Sequence, residues 1–120
     1  MSFDEIKNES IRILKYIDRM DTSEMLDTLK KLSDYKLRID DFLDIMTVWY
    51  RDVLMYKATM DADALVFKEE ISDITKRANK SSYDGIENII TAIEKTKIRI
   101  RANVNYELAV ELMLLAIKEN

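Results

Sequence analysis

Residues 42–55 read Phe42-Leu43-Asp44-Ile45-Met46-Thr47-Val48-Trp49-Tyr50-Arg51-Asp52-Val53-Leu54-Met55. Asp40 and Asp41 just before them favour a helix N-terminus through capping and the dipole. The spacing predicts a helix from there to about Ala58. Apolar side chains cover most of its circumference, and Asp44, Thr47 and Arg51 leave a narrow polar seam. A helix that is apolar nearly all round is either central in its fold or pressed against a partner.

Other helices can be drawn on both sides of this one. Ser2 and Glu5 have capping-box spacing and open a first helix with Ile6, Ile13, Leu14, Ile17 and Met20 on its apolar side. Asp21 and Glu24 repeat the arrangement for a second helix with the stripe Met25, Leu26, Leu29 and Leu32. After the third, Asp61 or Asp63 is expected to cap a fourth, with Ala64, Phe67, Ile71, Ile74 and Ala78 as its stripe. Ser81 or Ser82 caps a fifth carrying Ile86, Ile89, Ile90, Ile93 and Ile100. Asn103 or Asn105 caps a sixth from Tyr106 to about Lys118, where Glu107, Glu111 and Lys118 are the only polar positions within residues 107–118. It is the second helix with more apolar surface than one face can use.

Composition points the same way. The 120 residues include no proline and a single glycine, Gly85, so the turn chemistry that sheets and long loops need is missing. The expected fold is all-α, a bundle of five to six helices. No internal linker or fixed-period repeat interrupts residues 1–120, which read as one domain.

What is absent also narrows the function. With no histidine and no cysteine, disulfides, Cys/His zinc sites and Ser-His-Asp or Cys-His nucleophiles are excluded. One glycine cannot build a G-x-x-x-x-G-K phosphate loop. No catalytic, metal or cofactor site is therefore expected. Asp61-Ala62-Asp63 resembles the start of a calcium loop, but Val66 and Ser72 stand where that loop needs glycine and glutamate, so helix capping is the reading. The acid pairs 40/41 and 69/70 diverge by about 100° on a helix and cannot converge on one substrate atom. Lys95, Lys97, Arg99 and Arg101 fall on different sides of the fifth helix, with no aromatic between them for base stacking. Lys76, Arg77 and Lys80 add positive charge nearby in sequence. The net charge of −4 gives the whole chain no attraction to nucleic acid or an anionic membrane surface. Residues 1–5 carry acid and no apolar run, unlike a signal peptide, and the apolar run 112–117 is far short of the ~20 residues of a membrane span. A soluble, cytoplasmic chain is expected.

Trp49, Tyr50, Arg51 and Asp52 form the densest informative cluster. Trp, Tyr and Arg are enriched at binding hot spots, while Trp49 as a core anchor and Arg51 as a surface charge is the structural alternative. Arg51 and Glu111 are isolated charges on apolar helices and are expected to pair across them, because an unpaired buried charge is costly.

Residues 42–54 also resemble the W-x-RD-L-L helix of bacterial clamp-loader subunits, with Val53 in place of the first leucine. Residues 100–114, Ile100-Arg101-Ala102-Asn103-Val104-Asn105-Tyr106-Glu107-Leu108-Ala109-Val110-Glu111-Leu112-Met113-Leu114, resemble the L-x-x-N-x-N-x-x-L-x-x-E-x-L-L close of the delta prime type in DNA polymerase III. Ile100 and Met113 replace leucines there. The likeness runs from about Asp21 to the end; gamma/tau and delta have related domains, and the paired asparagines favour delta prime. The resemblance implies a C-terminal collar domain cut from a longer AAA+ chain. It also implies a role in assembling a ring with delta and gamma/tau subunits that loads the sliding clamp, without ATP binding or catalysis of its own and without direct DNA contact. Trp49 to Asp52, Asn103, Asn105 and Glu111 would then be interface or structural residues. The reading from a different class is a free-standing helical adaptor or regulator that binds a partner helix or peptide in a groove.

Overall fold

The computed structural model describes residues 2–120; Met1, one of the residues 1–5 compared with a signal peptide, lies outside the described residues. Six α-helices and no strand are found among them. They are α1 (Phe3–Tyr16), α2 (Thr22–Asp34), α3 (Ile39–Thr59), α4 (Ile71–Lys80), α5 (Tyr83–Arg101) and α6 (Tyr106–Glu119), with single 3-10 turns at Ile17–Arg19, Lys36–Arg38, Ala62–Ala64 and Lys68–Glu70. The all-α bundle expected from the sequence is the one observed.

Most helix starts follow the local chemistry. Ser2 Oγ accepts from Glu5 N at α1, and at α2 the Asp21 carboxylate and the Glu24 side chain form a complete capping box. Ser82, not Ser81, caps α5 by accepting from Gly85 N at 2.9 Å. Asn105, not Asn103, caps α6 by accepting from Leu108 N at 2.9 Å. The α3 helix starts at Ile39, just ahead of the acids expected to open it.

The α3 helix is the centre. Phe42, Leu43, Ile45, Met46, Trp49, Tyr50 and Val53 are all buried, and α1, α4 and α5 pack around them. Its polar seam is narrower than the sequence suggests: Thr47 is buried, with its hydroxyl donating to Leu43 O at 2.9 Å. Helix α6 closes the bundle from outside, against α5, α2 and the Ile17–Arg19 turn.

The fourth helix departs from expectation. Asp61 caps only the Ala62–Ala64 turn, and α4 starts at Ile71. The cause lies in Leu65 and Phe67, which are both buried while Val66 is exposed. Residues two apart on a helix point about 200° apart, so a helix lying at the surface through 61–70 would turn one of the two toward solvent. An irregular chain can, provided that its backbone donors are satisfied. Asp52 of α3 satisfies them: its carboxylate accepts from Val66 N at 3.0 Å and from Phe67 N at 2.8 Å. Phe67 then packs on Trp49, with ring centroids 6.3 Å apart.

Two tyrosines show opposite ways of burying a hydroxyl. Tyr106 donates to Leu32 O at 2.6 Å, joining α6 to the end of α2. Tyr50 is fully buried and its hydroxyl has no hydrogen-bond partner among the described residues. Burial pushes both phenols up to about 12.

Two predictions follow from these contacts. Asp52→Asn removes one acceptor from the 66–67 backbone; a loss of about 1–3 kcal/mol in urea unfolding is expected, together with faster amide exchange at Val66 and Phe67. Tyr50→Phe deletes an unpaired buried hydroxyl and should leave stability unchanged or raised by up to about 1 kcal/mol, whereas Tyr106→Phe should cost about 1 kcal/mol. The Tyr50 phenol is neutral in the fold and titrates near 10 when unfolded. Its contribution is therefore intact below pH 10 and is lost as pH rises toward 12. Equilibrium unfolding across that range should show an alkaline loss of roughly 2–3 kcal/mol that is reduced in Tyr50→Phe.

Candidate functional site

The cluster at residues 49–52 splits by depth. Trp49 and Tyr50 are 1% and 0% exposed, so their rings serve the core of the chain itself. Asp52 is buried and holds the 65–67 segment. Arg51 alone faces solvent. Glu111 is also exposed, and no ion pair joins it to Arg51. The pairing expected across α3 and α6 does not form. Neither charge is buried, so the penalty that was to drive the pair is absent. The basic side chain that does lie inside is Arg77 of α4, at 6% exposure, whose Nη2 donates to Ile117 O at 2.6 Å. Nothing in the sequence separated it from Lys76 and Lys80.

The asparagines divide the α5–α6 corner between them. Asn103 is left-handed at φ 58°. Val104 N reaches Arg99 O at 3.0 Å and Asn103 N reaches Ile100 O at 3.2 Å, the two bonds of a Schellman close. Asparagine tolerates that backbone better than most side chains. Asn105 then caps α6. One residue ends a helix and the other, two positions on, starts the next.

Helix α6 carries the surface that most needs an explanation. Ala109, Val110, Met113, Leu114 and Ile117 are buried against the bundle. On the other side, Leu108, Leu112 and Leu115 are 49%, 44% and 38% exposed. Their i, i+4, i+7 spacing makes one continuous ridge rather than scattered apolar positions; the spacing was present in the sequence, but only packing shows which face stays bare. The ridge is flanked by two depressions. One, of about 170 Å³, lies between α2 and α6 and is lined by Met25, Leu26, Leu29, Glu111, Leu114 and Leu115 among others. The other, of about 340 Å³, runs between α5 and α6 past Asn88, Ala92, Lys95, Leu112 and Ala116. A ridge between two grooves is the shape that another helix can pack against.

No group of three or more Asp and Glu placed to hold a metal ion occurs among the described residues. No helix among them is long and apolar enough to cross a membrane. No curated protein and no solved structure matches the chain. Residues 3–119 match the family model described as DNA polymerase III, delta subunit, C terminal. The chain therefore belongs to that family, whose domains are parts of the clamp loader of DNA replication.

Proposed function

We propose that this is a non-catalytic collar domain that joins clamp-loader subunits into a ring, and that it is of the delta prime type. The observation that carries the assembly reading is the Leu108–Leu112–Leu115 ridge, which the chain's own fold leaves uncovered. The same helix buries its opposite face, so a neighbouring subunit can be held on a rigid support. The α2 side adds Leu26, 59% exposed, to the surface. Arg51 and Glu111 are solvent charges available to rim contacts, whereas Trp49, Tyr50, Asp52, Asn103 and Asn105 act by holding the shape of the domain. The delta prime type is supported by the asparagine pair, each member of which has a distinct backbone task. The partners on this reading are the collar domains of delta and gamma/tau, and the domain works in the cytoplasm as the C-terminal part of a longer AAA+ chain.

The test is association in solution. Mixed with delta or gamma/tau collar domains, the chain should co-elute on size exclusion. Leu108→Asp combined with Leu112→Asp places charges where apolar contact is needed and should weaken association by at least a hundredfold, with helix content unchanged by circular dichroism. Failure of the unaltered chain to associate with either subunit would overturn the reading and favour a free-standing adaptor.

A further inference from the structure

A cavity of about 230 Å³ lies on the far side of α4, between α1, the Ile17–Arg19 turn and α4, with Trp49 of α3 in its wall. Its cationic lining is Lys15, Arg19, Lys76, Arg77 and Lys80; its acids are Asp18 and Asp73. Two of the cations are already taken. Lys80 Nζ pairs with Asp18 at 2.8 Å, and Lys15 Nζ with Glu70 at 2.6 Å and Asp73 at 3.7 Å. Burial alone would push the Asp18 carboxyl up, but Lys80 and the nearby Arg77 hold it below the usual carboxylate range. Among the described residues no carboxylate is in ion-pair contact with Arg19, Lys76 or Arg77, although Asp18 is near Arg77.

Arg77 is the unusual member. It is a buried guanidinium whose partners are neutral: the Ile117 carbonyl, and the Tyr50 ring with its centroid 5.6 Å from Cζ. Its Nε is buried and has no hydrogen-bond partner. Nε1 of Trp49, in the same wall, is likewise buried and unpartnered. Buried donors are nearly always satisfied, and a buried charge needs compensation from its surroundings. Five cations against the carboxylates of Asp18, Asp73 and Glu70 leave two positive charges in excess around one cavity, which an anion with several acceptor oxygens would balance.

We propose that this cavity binds a phosphate group, held by Arg77 at its base and by Arg19 and Lys76 at its mouth. Guanidinium groups suit phosphate because their planar donors match its oxygens. A dianion matches an excess of two positive charges better than a single carboxylate does. The cavity shares no lining residue with the grooves beside the α6 ridge and does not depend on the assembly reading.

Trp49 is the only tryptophan in the chain, so its fluorescence reports on the cavity directly. Titration with inorganic phosphate at constant ionic strength should give a saturable change that matched sodium chloride does not. Arg77→Gln should abolish it but can also unfold a buried position. The decisive variant is therefore Arg19→Glu with Lys76→Glu, both exposed, which should weaken phosphate binding at least tenfold while Lys95→Glu on α5 leaves it unchanged. A response equal to that of chloride, or one untouched by Arg19→Glu with Lys76→Glu, overturns the proposal. A ten-nucleotide oligothymidylate distinguishes the source of the phosphate: competition with inorganic phosphate for the same signal points to a nucleic-acid backbone, and no competition to a free phosphate monoester; both outcomes sustain the site.

Discussion

A helix whose side chains are apolar almost all the way round has to be surrounded, and the arrangement of this molecule answers that demand of α3. Helices α1, α4 and α5 enclose it. Where helices leave a gap, the chain covers α3 with an irregular segment, burying Leu65 and Phe67 over the side of Trp49. That solution is possible because Asp52 projects from α3 itself and accepts the two backbone N–H groups that an irregular covering segment would otherwise leave without partners. A single carboxylate thus satisfies two backbone donors of a segment that forms no helix.

The outer elements are joined by a recurrent device. Side chains from one helix donate to backbone carbonyls near the end of another. Lys57 of α3 reaches Ala78 O at 2.8 Å, Arg77 of α4 reaches Ile117 O at 2.6 Å and Lys118 of α6 reaches Met20 O at 2.5 Å. Tyr106 of α6 reaches Leu32 O. The last carbonyls of a helix have no partner within it and carry the negative end of its dipole, so cationic donors suit them. Ala78, Ile117 and Leu32 lie in the last turn of their helices, whereas Met20 follows the Ile17–Arg19 turn, and each contact fixes the position of a neighbour. Gly85 contributes by its lack of a side chain: a Cβ there would stand 3.1 Å from the Asn120 carbonyl oxygen.

This scaffold separates two surfaces. Helix α6 is packed on one side and bare along a leucine row on the other, which suits a domain of a multi-subunit clamp loader. Helix α4 and the Ile17–Arg19 turn gather basic side chains around Arg77, although the chain as a whole is acidic. Net charge describes the average, while binding responds to the local field.

The sequence by itself determined the class of fold, because 120 residues with no proline and one glycine leave little but helices, and the caps Ser2 and Asp21 mark where two of them begin. It also singled out α3 and α6 as helices with surplus apolar surface, and the motifs at 42–54 and 100–114 led to the clamp-loader family, since local spacing is sequence information. Tertiary structure alone decided which of the two helices is enclosed and which stays bare. It also moved the start of α4 from residues 61–63 to Ile71, and it made Asp52 and Arg77, rather than Arg51 and Glu111, the buried charges. Burial of a charge depends on what packs over it, and that is set by segments distant in the chain: 65–67 for Asp52 and the end of α6 for Arg77.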